Sequence, residues 1–237
     1  MASESTQLHR VAVYFAPSPD TVLWQAGSQW LGRCASTGAV FDMPEVPGVS
    51  TQLRRELTAE PRRYGFHATL KPPFRLQHGL GLDGVLQEIH RLCNDIEPFT
   101  LPPLRVAMLG DFLALRPEGD NRLADAVAAG CVTSLQPLAA PLYADELARR
   151  RRHPLTPEQD SLLQRWGYPW VLDQYRFHLS LTSSLSTYSE AQRAALLQAA
   201  EAVFHPLPAC RFDSIAVFVE PRAGDDFVLT DRLELRG

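Results

Sequence analysis

The chain has 237 residues, of which 45% are hydrophobic and 21% are charged, values typical of a soluble globular protein with a substantial core. Neither disorder nor a membrane span is expected, because the most apolar stretch, 123–144, is interrupted by Asp125, Gln136 and Pro137. The net charge of −4 gives no overall attraction to nucleic acid, so no DNA partner is expected.

The amino terminus and the cysteines bear on location and on metals. The first ten residues are polar and carry Glu4 and Arg10 where a secretory peptide needs an apolar core, so a cytoplasmic protein is expected. No two cysteines form a CxxC pair, and none clusters with histidine at the spacing of metal ligands. A zinc knuckle and a disulfide scaffold are therefore excluded, and neither a metal nor a cofactor is expected. The cysteines are Cys34, Cys93, Cys131 and Cys210.

Alternating apolar residues predict strands, and apolar residues three or four positions apart predict helices between them. The first helix is expected to begin at Ser18-Pro19-Asp20, which offers an N-cap, a proline and an early acid. Sheets of this kind need cover on both faces, which predicts an α+β or α/β fold. In chain order the predicted elements are strand 10–15, a helix to about Cys34, strand 64–74, helix 82–94, strands 104–109 and 112–116, helix 120–135, strand 175–182, helix 190–204, and strands 215–220 and 227–235.

The stretch from about 141 to 173 departs from this alternation and is predicted to be a helical insertion in a single domain of residues 1–237. Thr156-Pro157-Glu158-Gln159 is a capping box for a short helix that Gly167 can end. Such an insertion either forms a lid or wall of a site, or packs as a flap with two core tryptophans. The run Arg149-Arg150-Arg151-Arg152 is either a solvated face or a substrate clamp.

A seven-residue repeat is the strongest functional signal. Tyr64-Gly65-Phe66-His67-Ala68-Thr69-Leu70 recurs 111 residues later as Tyr175-Arg176-Phe177-His178-Leu179-Ser180-Leu181. Because side chains alternate along a strand, His67 and Thr69 share the face opposite the apolar residues, and His178 and Ser180 do the same. Each copy therefore presents an imidazole and a hydroxyl roughly 6 to 7 Å apart.

Two such pairs suit the cleavage of a phosphodiester. If the two strands face each other across a pseudo-two-fold cleft, one imidazole can deprotonate the attacking oxygen while the other protonates the leaving oxygen. Thr69 and Ser180 can then hydrogen-bond to the non-bridging oxygens. The alternative is a structural role, in which both histidines are buried and bonded to neighbouring backbone.

The paired motifs resemble those of the two-histidine phosphoesterase superfamily, which includes the RNA 2′,5′-ligase-like proteins and the cyclic nucleotide phosphodiesterases. The resemblance implies an α+β fold in which two βα lobes are related by a pseudo-two-fold axis and antiparallel-rich sheets face a central cleft. It also implies a metal-independent site, with His67 and Thr69 from one lobe and His178 and Ser180 from the other as catalytic residues. Ser180 is the less common of the two hydroxyls that the motif permits.

A second resemblance runs nearly end to end. Trp30-Leu31-Gly32-Arg33, the run 62–74 and Trp166-Gly167-Tyr168-Pro169 resemble a bacterial, DUF1045-like subfamily encoded in phosphonate-utilisation operons. This resemblance implies a small phosphorylated metabolite as the partner, such as the cyclic ribose phosphate that forms when phosphonates are degraded.

Residues near the motifs are candidates for substrate binding. Lys71 is expected on the strand face of the first histidine, where it either neutralises a phosphate or is solvated at the strand end. Tyr14 is expected to line the cleft or donate a hydrogen bond, and Tyr168 to form a wall or stacking surface. Tyr64 and Tyr175 are expected in packing on the opposite face. The other histidines, which lack a hydroxyl partner and are expected on the surface or in helices, are His9, His78, His90, His153 and His205.

The sequence thus predicts an enzyme that hydrolyses a small cyclic phosphodiester, and two alternatives remain. One is action on a 2′,3′-cyclic RNA end, which the acidic net charge disfavours and the arginine run keeps open. The other is a non-catalytic protein that holds a phosphorylated ligand as a sensor or carrier. Which histidine acts as base and which as acid depends on how the substrate lies.

Overall fold

The computed structural model describes residues 8–152, 154–205 and 208–237. The predictions for residues 1–7 and for His153 lie outside these residues. The helices are α1 Val22–Leu31, α2 Thr51–Tyr64, α3 Leu82–Asn94, α4 Arg122–Leu135, α5 Ala144–Arg150, α6 Pro157–Trp166 and α7 Glu190–Phe204, with 3-10 turns at Gln136–Leu138 and Leu172–Gln174. The strands are β1 Arg10–Phe15, β2 Ala68–Phe74, β3 Phe99–Thr100, β4 Leu104–Leu109, β5 Phe112–Pro117, β6 Leu179–Ser180, β7 Arg211–Phe212, β8 Ser214–Glu220 and β9 Val228–Glu234.

One seven-stranded sheet organises the fold, in the order β4-β5-β6-β2-β1-β8-β9, and β3 pairs with β7 separately. Neighbouring strands of the large sheet are antiparallel, which makes the protein α+β. The two motif strands, β2 and β6, are neighbours in this sheet. The prediction that they face each other from two sheets is therefore wrong. Alternation of side chains shows which face a strand buries, but it cannot show whether two strands pair or stack.

The main core lies on one face of this sheet, beneath α3, α4 and α7. These helices bury apolar stripes at helical spacing against the strands. The opposite face carries a smaller cluster around Tyr14, Trp24, Phe218 and Phe227. The helix residues of the main core are Leu23, Trp30 and Leu31 from α1, Leu57 from α2, Val85, Ile89 and Cys93 from α3, Ala124, Val127, Ala128, Cys131 and Leu135 from α4, and Leu196, Ala200 and Phe204 from α7.

Local sequence rules placed many elements well. β1, α3, β4 and α7 have the predicted bounds, and β5, β8 and β9 lie within one residue of theirs. The capping box of α6 is confirmed: Thr156 accepts from the Gln159 backbone, and Gly167 ends the helix with φ 75°. Helix α4 begins two residues later than expected.

Three predicted elements need correction. The first helix begins at Val22, because the Thr21 side chain rather than Ser18 accepts from the Trp24 backbone, and Gly32 ends it with φ 78°. The first motif strand starts only at Ala68, because α2 continues to Tyr64. The second is reduced to the two residues of β6. Beyond β6 the Leu181 carbonyl accepts from the Trp30 indole instead of a strand neighbour. Helices α2 and α5 were not predicted.

Candidate active site

The two motifs meet where β2 pairs with β6. Ala68 lies opposite Leu179, and both are fully buried in the main core. Continuing the register by one residue sets His67 opposite Ser180, and Thr69 opposite His178. Alternation turns these four side chains to the face away from the main core, and directly opposite residues lie about 4.5 to 5.5 Å apart. The structure thus brings the four predicted catalytic residues together, on neighbouring strands.

Both histidine rings are held in the same way. Nδ1 of His67 lies 2.8 Å from the Gly65 carbonyl, and Nδ1 of His178 lies 2.6 Å from the Arg176 carbonyl. A carbonyl can only accept, so Nδ1 carries the proton in each ring. This leaves Nε2 of the neutral ring unprotonated and able to act as a base.

The loop before His67 depends on Gly65. Gly65 has φ 83°, and a Cβ there would lie 2.6 Å from the Ala35 Cβ. A side chain is therefore excluded both by the left-handed backbone and by the close approach of Ala35. The resulting turn ends α2 and presents the carbonyl to which the His67 ring donates.

The first histidine is also covered by an aromatic ring and bonded to its own motif. Tyr14 lies opposite Thr69 on β1, and its ring stacks on the His67 imidazole with centroids 3.7 Å apart. Nε2 of His67 lies 3.2 Å from the Thr69 Oγ1, which donates to the neutral ring. Burial raises the pKa of Tyr14 well above its ordinary value, so this phenol stays protonated near neutral pH.

The surroundings of both histidines favour the neutral imidazole. Burial is the main cause that lowers the pKa of His67 to about 4, and the nearby His178 lowers it further while the Gly65 carbonyl raises it. Burial also lowers the pKa of His178, with a further decrease from Arg116 and an opposing effect of the Arg176 carbonyl. Both rings are therefore neutral at pH 7 without a bound anion.

The predicted position of Lys71 is wrong. Tyr14 pairs with Thr69, but Val13 pairs with Lys71, so β2 accommodates one extra residue and its alternation is broken. Lys71 therefore faces the main core with Val13. Its Nζ donates to the Gln136 side chain at 2.9 Å, burial lowers its pKa to about 8, and it lines a cavity of about 210 Å³ beside the insertion.

Tyr168, predicted as a wall or stacking surface, is half-buried beside Arg150. The guanidinium of Arg150 lies 5.2 Å from the centroid of its ring. Burial raises the pKa of Tyr168, with an opposing effect of Arg150 and a further increase from Tyr64. Tyr64 itself lies 6.3 Å from the His67 ring, between centroids. The expectation that Tyr64 packs on the other face is wrong, because this residue ends a helix instead of starting a strand.

The four-arginine run is exposed except at Arg150. Arg149, Arg151 and Arg152 are exposed, and Arg151 pairs with Asp160 at 2.6 Å. Arg150 is half-buried over Tyr168. The flap with two core tryptophans is wrong, since Trp166 is half-buried and Trp170 is 47% exposed.

Sequence reasoning missed Tyr64 and Arg116 as neighbours of the histidines. Arg116 stands at the end of β5, where alternation alone could show its face, but not that β5 would pair with the second motif. Over the described residues, no group of three or more His, Cys, Asp or Glu side chains is arranged to hold a metal ion. None of the helices described is both long enough and apolar enough to span a bilayer.

Residues 69–228, about two thirds of the chain, match the protein family described as "Protein of unknown function (DUF1045)". The chain therefore belongs to this family. The match contains the second motif in full and begins at Thr69 in the first, and it confirms the DUF1045-like part of the resemblance found in the sequence.

Two curated relatives are both named "Ribose 1,5-bisphosphate phosphokinase PhnN". The protein of Janthinobacterium sp. (strain Marseille) is 39% identical over 236 residues, covering 98% of this chain and 52% of the relative. That of Laribacter hongkongensis (strain HLHK9) is 36% identical over 221 residues, covering 93% and 50%. The chain thus spans about half the length of these relatives.

Among solved structures, Usb1 of Kluyveromyces marxianus matches 94% of this chain and 98% of its own, with 11% identity and a TM-score of 0.36. A likeness this distant bears on neither the fold nor the activity of the chain.

Proposed function

We propose that the chain is a metal-independent phosphoesterase of the two-histidine superfamily that hydrolyses a small cyclic phosphodiester. The observation that carries this proposal is the pairing of Ala68 with Leu179. An antiparallel pair has a local two-fold axis perpendicular to the sheet. Through this pair, the axis relates His67 to His178 and Thr69 to Ser180, which is the pseudo-two-fold relation that the sequence resemblance implies.

The chemistry follows from this symmetry. A phosphoryl group on the axis has one imidazole on each side, so that one Nε2 takes a proton from the attacking water while the other ring, protonated, gives one to the leaving oxygen. Thr69 and Ser180 donate hydrogen bonds to the non-bridging oxygens as their negative charge increases. An anion bound between the rings raises the pKa of both histidines, which supplies the proton that the acid needs.

The curated relatives support a sugar phosphate as the substrate class. Their name contains ribose 1,5-bisphosphate and the phosphonate-related designation PhnN, and a cyclic ribose phosphate is a chemically related sugar phosphate. We do not propose the kinase activity of that name for this chain. The chain's single lysine, Lys71, is buried and donates to the Val132 carbonyl of α4, and no glycine-rich phosphate loop with a following lysine is present in the sequence.

Phosphorus NMR of the purified chain tests the proposal. The panel contains ribose 1,2-cyclic phosphate and nucleoside 2′,3′-cyclic phosphates, each with excess EDTA. We expect ring opening of the sugar compound to a phosphomonoester at an undiminished rate in EDTA. Preference for the nucleoside compounds would point to RNA ends instead. Binding without turnover of any compound by the folded protein would support a carrier or sensor.

A further inference from the structure

Arg116 stands beside the second motif with no role in the chemistry described above. On β5, Ala114 lies opposite Ser180 and Leu115 opposite Leu179. Continuing this register by one residue sets Arg116 directly opposite His178, where cross-strand neighbours are about 5 Å apart. Arg116 therefore extends the row of site residues that runs across β2 and β6.

The side chain of Arg116 is on the face of the histidines. Leu113 and Leu115 are buried in the main core, so alternation turns Phe112, Ala114 and Arg116 to the other face. The Phe112 ring confirms this orientation, because its centroid lies 5.6 Å from that of His178.

The charge of Arg116 is uncompensated in the described part of the chain. No carboxylate there lies within 4.0 Å of its guanidinium, whereas Arg105, its cross-strand neighbour on β4, pairs with Glu118 at 3.2 Å. A half-buried cation beside an imidazole disfavours protonation of that ring. An anion placed between the two groups would compensate the guanidinium and allow the imidazole to take a proton.

The local two-fold relation of the motifs breaks down at this position. Phe15 lies opposite Ala68, so continuing the register by one residue sets Ala16 opposite His67. The two-fold axis therefore relates Ala16, beside His67, to Arg116, beside His178. In the same way Tyr14 corresponds to Ala114. The His178 side thus has the Arg116 guanidinium where the His67 side has only a small alanine, and the His67 side has the Tyr14 ring where the His178 side has Ala114.

We propose that Arg116 binds a non-bridging oxygen of the substrate's phosphoryl group on the His178 side and thereby sets the direction in which the substrate lies between the histidines. The inference rests on the proposed function, since it takes a phosphoryl group as the ligand of the motifs. The planar guanidinium suits this contact, because it presents paired donors to two oxygens of a phosphate.

Binding of inorganic phosphate, followed by NMR of the histidine ring protons, tests this contact without turnover. We expect Arg116→Gln to weaken phosphate binding roughly 10- to 100-fold, the range for a charge-assisted hydrogen bond, and to raise the pKa of His178 in the free protein. Arg116→Lys should retain part of the affinity. The matched control is Arg105→Gln, one strand further along the same row, which should change neither quantity.

Unchanged phosphate affinity and an unchanged His178 titration in folded Arg116→Gln would overturn the inference. An equal loss in Arg105→Gln would overturn it too, since the effect would then be one of general charge. If the wild type opens no cyclic phosphodiester but Arg116→Gln still weakens phosphate binding, the phosphate contact stands and the proposed hydrolysis fails.

Discussion

The two histidines are held by equivalent backbone bonds, yet their surroundings differ. Each donates Nδ1–H to the carbonyl two residues earlier. His67 is covered by Tyr14, while His178 stands beside Arg116. The ring that covers His67 and the cation beside His178 can therefore be tested by separate substitutions.

The first prediction concerns Tyr14. In Tyr14→Ala, water reaches the ring of His67, so its pKa should rise from about 4 toward the ordinary value of about 6.5. Tyr14→Phe is the matched control, because it keeps the stacked ring and should leave the titration of His67 nearly unchanged. NMR titration of the histidine ring protons measures both. A low pKa of His67 in folded Tyr14→Ala would show that Tyr14 is not its cover.

The second prediction concerns stability as a function of pH. The pKa of His67 is lower in the folded protein than in an unfolded chain, so folding favours the neutral ring. This contribution is fully present above about pH 6.5 and is lost as the pH falls toward 4. Between pH 7 and 4, the wild type should lose up to about 3 kcal/mol more unfolding free energy than His67→Gln, at about 1.4 kcal/mol per pKa unit.

Urea unfolding followed by tryptophan fluorescence measures this difference across the pH range. The carboxylates titrate in both proteins, so their contribution cancels in the comparison. The same pH dependence in wild type and His67→Gln would contradict a buried, neutral His67.

At the scale of elements, the site depends on the turn that joins α2 to β2. Gly65 ends the helix with a left-handed backbone and lies against Ala35. The next residues reverse the chain so that His67 enters the sheet beside β6. A substitution that distorts this turn should displace His67 from the sheet without altering its imidazole.

The third prediction therefore concerns Gly65→Ala. The added Cβ meets Ala35 at 2.6 Å, whereas one at Gly79, which has a similar φ of 82°, meets nothing within 4 Å. Gly79→Ala should cost about 1 kcal/mol of unfolding free energy from its positive φ alone. Gly65→Ala should cost about 1 to 3 kcal/mol more, because the new Cβ overpacks Ala35 and because φ 83° with ψ 177° is open almost only to glycine. Ala35→Gly in the Gly65→Ala background should restore part of the loss. Equal costs at the two glycines would refute the close contact.

Elements with strong local signals were predictable, and those fixed by distant partners were not. The capping box at Thr156 and the apolar stripe of α3 are properties of a few adjacent residues. The polar run of α2 carries no comparable stripe, so that helix was missed. Lys71 was placed on the wrong face because a bulge set by pairing with β1 leaves no signature in the sequence of β2 itself.

At the scale of the whole molecule, the repeat predicted which residues lie together but not how their strands meet. His67, Thr69, His178 and Ser180 were predicted from the repeated seven-residue motif and its family resemblance. The two motifs lie on neighbouring strands of one sheet. This pairing depends on the strand order, which brings together segments about 110 residues apart in the chain. Arg116 and Tyr64 entered the site through the same long-range order, which explains why the sequence did not reveal them.

The fourth prediction concerns the relation of this chain to relatives of twice its length. We expect the purified chain not to phosphorylate ribose 1,5-bisphosphate with ATP, because its one lysine is buried and no phosphate loop is present in its sequence. A coupled assay for ADP release measures this, with the Janthinobacterium relative as the positive control. ATP-dependent turnover by the chain alone would contradict this prediction and would show that the half of the relatives matched by this chain carries kinase activity.

The most direct test of the two-histidine site is the rate of cyclic phosphodiester opening in excess EDTA by His67→Ala and His178→Ala. We expect each substitution to lower kcat/KM by roughly 10²- to 10⁴-fold, the usual scale for a general acid or base, with circular dichroism and thermal unfolding close to wild type. His90→Ala, on the exposed side of α3, is the control and should keep full activity. Activity within twofold of wild type in either motif variant would contradict the paired-histidine mechanism.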